Sequence, residues 1–239
     1  MSRIFEALEF AGVDIEEQMA PTVTVRAIPA VPKPFEEKLI ALYTRIDALL
    51  DVAGGKVVSI VGLQDRAQGF TYAFEMARAA AVQLRKRVLL LGTCGSGSSE
   101  QVVHNNLTRG WESAVFGDQS VIRAIHKLGD PPISVSQLNT TRESLAPIIA
   151  APRFMNSLRL MRKRYDLIVV DTPAHGDGMD AVLVSGAVDG TVLVVDAGHT
   201  RWQVVRHAVD QFVAQDGTVL GVVLNKRRFY IPNFIYRKL

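Results

Sequence analysis

A three-layer α/β arrangement, with a mostly parallel central sheet flanked by helices, is the fold class this sequence predicts, and three features predict it. From residue 56 onward, short runs rich in β-branched residues alternate with helical stretches, the rhythm of successive β-α-β units. The runs, such as Val57 to Val61, are mostly apolar throughout, as strands buried on both faces are. The clearest of them, Tyr165-Asp-Leu-Ile-Val-Val-Asp, ends in Asp171, which places a carboxylate at the carboxyl edge of the sheet, where open α/β folds bind ligands.

Taken in order, residues 1–19 carry Ile4, Phe5, Leu8 and Ala11 at helical spacing behind a possible cap at Ser2, which predicts a short docking helix. Pro21, Pro29, Pro32 and Pro34 make an extended connector, because each proline denies its predecessor the helical region. The division expected is therefore a docking helix and Pro-rich linker over 1–34 and one domain over 35–239. A helix from about Phe35 to Val52 stops at Gly54-Gly55. The first strand follows, then an Ala-rich helix over Phe70 to Leu84, a strand over Arg87 to Leu91, and a loop over 92–100. A helix is expected through roughly 111–127, ended by Pro131-Pro132, with a short strand at Ile133 to Gln137. Leu145 to Arg164 reads as two helices parted by Pro152; strands over Gly190 to Asp196 and Val219 to Leu224, with a helix from Arg201 to Ala214 between them, complete the pattern.

With 239 residues, 48% apolar and 21% charged, the chain can bury one ordinary α/β core and not a second full one. A net charge of +3 is too mild to imply nucleic acid. Basic clusters at Arg153, Arg159, Arg162, Lys163 and Arg164, and in the tail from Lys226, read as solvated faces, with an anionic membrane surface as the other reading. One cysteine, Cys94, forms no intramolecular disulfide and agrees with a reducing compartment. No apolar run is long enough to span a membrane and no signal peptide is visible, so the chain is expected in the cytoplasm. His104, His126, His175, His199 and His207 lack metal-ligand spacing and read as surface or helix positions; Gly176 and Gly178 beside His175 suggest a mobile loop or an ordinary turn.

The segment that organises the rest is 56–75, which has the layout of a phosphate-binding loop between a strand and a helix. In G-x-x-x-x-G-K-[ST], backbone N–H groups wrap the phosphates, the lysine reaches the outer oxygens and the hydroxyl holds Mg²⁺. Placing Gly69 on the last glycine puts Gln64 on the first, Phe70 on the lysine and Thr71 on the hydroxyl. Phe70 removes a cation and brings a ring into space a phosphate needs. Each charge-assisted hydrogen bond that the missing ammonium would have made is worth roughly 1.5–3 kcal/mol. Arg66 is a substitute cation or a solvated side chain. Asp171 then stands as a Walker B carboxylate, followed by Thr172-Pro173.

With these residues in this order, the chain resembles the cytoplasmic domain of the bacterial tyrosine kinases of capsule and exopolysaccharide synthesis, a branch of the P-loop superfamily that includes MinD and ParA ATPases. The resemblance rests on Met1-Ser-Arg-Ile-Phe-Glu-Ala-Leu, Glu36-Glu37-Lys-Leu-Ile-Ala-Leu-Tyr-Thr-Arg, Ala146-Pro-Ile-Ile-Ala-Ala-Pro-Arg-Phe, Tyr165 to Pro173, Asp180-Ala, Val188-Asp-Gly-Thr-Val-Leu-Val-Val and Gly221-Val-Val-Leu-Asn-Lys, and covers nearly the whole chain. It implies a three-layer P-loop fold. It also implies an Asp-x-Asp motif after the second strand, where this chain has Gly92-Thr93-Cys94, and an adenine contact at Asn225. Thr71 and Asn225 read equally as a helix-start hydroxyl and a strand-end turn. The intersubunit Glu-x-x-Arg-x-x-Arg falls on Glu37, Ile40 and Tyr43, which removes both arginines and weakens the case for a ring of subunits while leaving a homodimer open. Of the tyrosine cluster at which such kinases autophosphorylate, Tyr230 and Tyr236 stand as possible acceptors in a tail that Phe229, Phe234 and Ile235 make apolar enough to pack.

The departures fall on the catalytic parts. The expectation is a catalytically degenerate scaffold or regulator of capsule, holdfast or biofilm polysaccharide synthesis and export. It would pair with a membrane polysaccharide copolymerase or an active kinase homologue, and so sit at the inner face of the inner membrane. No cofactor is expected, with weak ATP- or ADP-Mg²⁺ binding through Thr71 and Asp171 the most that remains. The alternative is an active, unorthodox tyrosine autokinase or ATPase regulating chain length; a ParA-like positioning factor is a third reading, set back by the missing lysine.

Overall fold

The computed structural model describes residues 22–23, 33–93, 110–117, 120–129, 132–138 and 145–226. The expected docking helix, most of the proline connector, Cys94, His104 and the tail with Tyr230 and Tyr236 lie outside the described residues. Among the described residues, eight strands form one sheet in the order β1-β4-β5-β3-β6-β2-β7-β8. They are β1 (Thr22–Val23), β2 (Lys56–Gly62), β3 (Val88–Gly92), β4 (His126–Leu128), β5 (Ser134–Gln137), β6 (Leu167–Asp171), β7 (Gly190–Asp196) and β8 (Val219–Asn225). Every neighbouring pair is parallel except β4 with β5. The mostly parallel α/β class read from the sequence is the class observed.

Alternation within each strand assigns the two faces. Val58 and Ile60 of β2, Val88 and Leu90 of β3, and Leu167 and Val169 of β6 pack with α1 (Lys33–Leu49) and α2 (Arg66–Gln83), on Leu39, Tyr43, Ile46, Ala73 and Ala77. Small side chains along α2 let it lie close to the sheet with α1 above it. Val57, Leu89, Leu91, Ile168 and Val170 face the other way, onto Trp111, Phe154, Leu158 and Met161. That second layer holds α3 (Glu112–Phe116), α4 (Ala146–Ile149), α5 (Pro152–Arg164) and α6 (Asp180–Ser185). The remaining helix, α7 (Trp202–Ala214), sets Ala208 and Phe212 against Leu193 and Val195.

The break expected at Pro152 occurs there, with the proline in the first turn of α5, where its missing N–H leaves no bond unmade. The single helix expected over 111–127 does not form. Gly117 ends α3 in extended backbone, Ser120 caps a 3-10 turn over Val121–Ala124, and the chain then enters β4. His126, expected at a surface or on a helix, is 3% exposed and pairs antiparallel with Val135. Nor is Arg162 part of a solvated basic face. Its guanidinium grips Asp189 at 2.6 and 2.7 Å while Asp189 accepts the Val57 N–H at 2.7 Å, clasping α5 to the start of β2.

Because β6 and β7 flank β2, the crossover direction reverses there, and the carboxyl ends of β2, β6 and β7 form the crevice such folds use for ligands.

Candidate functional site

The turn after β2 is shorter than a phosphate loop. Helix α2 begins at Arg66, four residues before the helix start expected at Phe70, so three residues, Leu63 to Asp65, connect strand to helix. The Asp65 carboxylate caps the helix, accepting the Ala67 N–H at 2.9 Å. A helix N-terminus offers unpaired N–H groups and partial positive charge to anions; here the protein's own carboxylate occupies that position. The end of β2 is pressed against the first turn of α2. A Cβ on Gly62 would lie 2.1 Å from the Asp65 carbonyl oxygen, and one on Gly69 2.8 Å from the Gly62 nitrogen. Both positions therefore require glycine for close backbone approach, and Gly69 lies within a helix instead of at a loop's end.

Phe70 does not stand in the crevice as expected. Its ring is 6% exposed and stacks on Phe74, centroids 6.1 Å apart, as part of the core. Thr71 is exposed and donates to the Ala67 carbonyl at 2.8 Å, a bond within its own helix. Gln64 is exposed and accepts from the Thr200 hydroxyl at 3.1 Å. Arg66 is the first residue of α2, and its side chain lies outside what is described.

Asn225 joins a network that ties the first turns of α2 to the ends of β7 and β8. It accepts from the Tyr72 hydroxyl at 3.2 Å and donates to Gln68 at 3.2 Å. Gln68 in turn donates to Asp65 and Asp196, and Lys226 lies 2.8 Å from Asp196. The Lys226 ammonium is the main cause that holds the Asp196 carboxyl below the ordinary carboxylate range, with the Gln68 hydrogen bond assisting. Burial first, then the Asp196 charge, pushes the Tyr72 hydroxyl up. Two carboxylates thus meet at this end of the sheet, Asp65 at the cap of α2 and Asp196 at the end of β7, the second paired with Lys226.

Asp171 ends β6 as expected and is 1% exposed. Its carbonyl accepts from the Thr93 N–H at 3.1 Å and hydroxyl at 2.6 Å. Thr172 is buried, donating to the Ile60 carbonyl at 3.0 Å with its oxygen 3.3 Å from the Ser59 hydroxyl. On the neighbouring strand, the space an acid at Gly92 needs is taken: a Cβ there would lie 2.8 Å from Gln137 Cγ. Trp111 closes over it, its indole N–H donating to the Gly92 carbonyl at 3.0 Å. Tyr43, at the second arginine of the intersubunit motif, is buried, and burial followed by Asp47 pushes its hydroxyl up to about 12.

Sequence reasoning passed over Asp65, Gln68, Asp196 and Trp111. A signal for the first two was present: Asp65-Arg-Ala-Gln68 has the spacing of a capping box.

The fold is that of P-loop-type α/β domains, with a closed, self-capped turn where the phosphate loop would lie. More narrowly, it is like the cytoplasmic domain of bacterial tyrosine kinases. The chain is similar to "Tyrosine-protein kinase CpsD" of Streptococcus agalactiae, 34% identical over 73 residues, 30% of this chain; the match spans 32% of that relative's length, about a third. The CpsD kinase of Streptococcus pneumoniae is 26% identical over 195 residues, 81% of this chain and 85% of the relative. No family model matches the chain. Among solved structures, the kinase domain of Escherichia coli tyrosine kinase ETK superposes with a TM-score of 0.72 at 18% identity, covering 91% of this chain and 96% of that one. The chimerical protein CapA2B2 gives 0.73 at 20%, covering 90% and 99%. The MinD cell division protein of Aquifex aeolicus gives 0.57 at 14%, covering 77% and 72%. These likenesses establish the fold.

Proposed function

We propose that this chain is a catalytically degenerate tyrosine-kinase-like protein, acting as a scaffold or regulator in bacterial exopolysaccharide synthesis and export. The observation that carries the reading is the capped turn, in which Asp65 takes the helix N-terminus and Gln68 ties it to Asp196. The residues at this end of the sheet do not fit a magnesium triphosphate. Asp65 already takes a helix N-terminal N–H that a phosphate would use, and Asp196 is held by Gln68 and Lys226, so among the described side chains the turn offers no free cation to a triphosphate. Gln137 fills the room for a second acid at Gly92, and Asn225 is engaged by Tyr72 and Gln68.

The tyrosine-kinase names of the curated relatives and the chimerical CapA2B2 fold support a place beside a membrane copolymerase or an active kinase homologue. That partner would bring the chain to the inner face of the inner membrane. No helix among the described residues is long and apolar enough to cross a membrane.

The second reading, an active autokinase, draws on Asp171 at the sheet's carboxyl edge. Calorimetric titration with ATP and Mg²⁺ decides between the two. A dissociation constant below about 10 μM, with ADP accumulating, would remove the degenerate reading; heats equal to buffer dilution support it.

A further inference from the structure

Strand β8 ends the sheet among the described residues, and nothing in its sequence guards that edge. Val219–Asn225 contains no charged side chain and no proline, the usual devices that keep an edge strand from pairing further. Val222 is 41% exposed and Leu224 56%. Beside the strand, a groove of about 440 Å³ runs between β8 and α1, walled by Leu42, Ile46 and Leu49 on the helix and Leu220 and Val222 on the strand. Arg45 is the one charged residue lining it.

Strand β8 ends in a turn at Lys226. Lys226 has a left-handed φ of +52°, a conformation that ends strand geometry and turns the backbone. The turn is held, because the Lys226 ammonium lies 2.8 Å from Asp196 and the Asn225 carbonyl accepts the Ala197 N–H at 2.9 Å. Beyond it the sequence from Phe229 to Tyr236 reads Phe-Tyr-Ile-Pro-Asn-Phe-Ile-Tyr, without a charge. In extended form those residues span ~26 Å, against ~23 Å for β8 itself.

We propose that residues 229–236 dock on their own domain along the free edge of β8, seating aromatic side chains in the groove between β8 and α1. The length matches that of β8, and the uncharged stretch is what a groove with one cation and otherwise apolar walls accepts. Tethering favours this occupant over a second copy, since a short linker gives an effective concentration on the order of millimolar.

Hydrogen exchange read by mass spectrometry on the full chain tests it. The β8 amides should be protected in the wild type to the same extent at every protein concentration. Phe229→Asp with Phe234→Asp should raise their exchange by about tenfold or more, and Leu49→Asp, an exposed groove position that leaves the tail intact, should do the same. Unchanged rates in both variants would overturn the proposal. Protection that grows with protein concentration would overturn it in favour of a second copy, and protection appearing only with an added partner would overturn it in favour of that partner.

Discussion

Gln68 Nε2 donates to Asp65 Oδ2 and to Asp196 Oδ2, 3.1 Å in each case, so one amide nitrogen joins the cap of α2 to the end of β7. Its carbonyl oxygen accepts from Asn225 at the end of β8. Gln68→Ala leaves two carboxylates facing each other without their shared donor. The expected loss is about 1 kcal/mol, or a fall of about 2–4 °C in Tm for a chain of this size. Asp65→Ala should cost a similar amount through the lost helix cap. Because the two residues share a hydrogen bond, the double variant should lose less than the sum; strict additivity in thermal unfolding would mean that the bond is not made in solution.

Restoring the lysine of a phosphate loop should injure this protein instead of activating it. Phe70 is buried and stacked on Phe74, so Phe70→Lys removes a core ring and brings an ammonium into apolar surroundings. Losing the ring alone costs about 3 kcal/mol or more, and the charge adds to that. Urea unfolding should show the loss, and ATP hydrolysis should stay at background. A variant as stable as wild type that turns over ATP would show that position 70 faces the crevice.

Gly92 and Gln137 make a second relation that can be tested by repair. Gly92→Asp forces a side chain to within 2.8 Å of Gln137 Cγ, and overpacking of this kind costs about 1–3 kcal/mol. Adding Gln137→Ala should recover part of that loss, because it clears the space the new carboxylate needs. If Gly92→Asp is neutral on its own, the crowding at the end of β3 is not what excludes an acid there.

How much of this was legible follows from how local each cause is. The strands β2, β6 and β7 were readable because burial on both faces writes apolar runs into the sequence. The start of α2 was present too, in the spacing of Asp65 and Gln68, but a phosphate-loop template read through Gly69 moves the helix start to Phe70. Strand β4 was missed because three residues carry no periodicity, and its place is set by pairing with β5. Gln137 against Gly92 and Arg162 on Asp189 join residues distant in the chain, and only the folded sheet brings them together.

His175 lies in the 3-10 turn four residues beyond Asp171, its ring centroid 5.4 Å from that of Phe212. The segment, expected as a mobile loop or an ordinary turn, is a 3-10 turn with an aromatic contact to α7 on one side. Burial lowers the imidazole's pKa from its ordinary 6.5; the nearby His207 lowers it further, and a hydrogen bond with Gln211 works the other way. With the folded pKa below the unfolded one, the unfolded chain takes up a proton at a pH where the folded ring stays neutral. Stability from this residue is therefore full above pH 6.5 and is lost as pH falls through 6.5 toward the lower folded value. Urea midpoints of wild type and His175→Gln, measured at about pH 7.5 and about pH 5.5, where an ordinary histidine changes charge, should show the wild type dropping more on acidification than the variant. Equal drops would assign the acid sensitivity to other groups and leave His175 a packing residue whose proton does not matter.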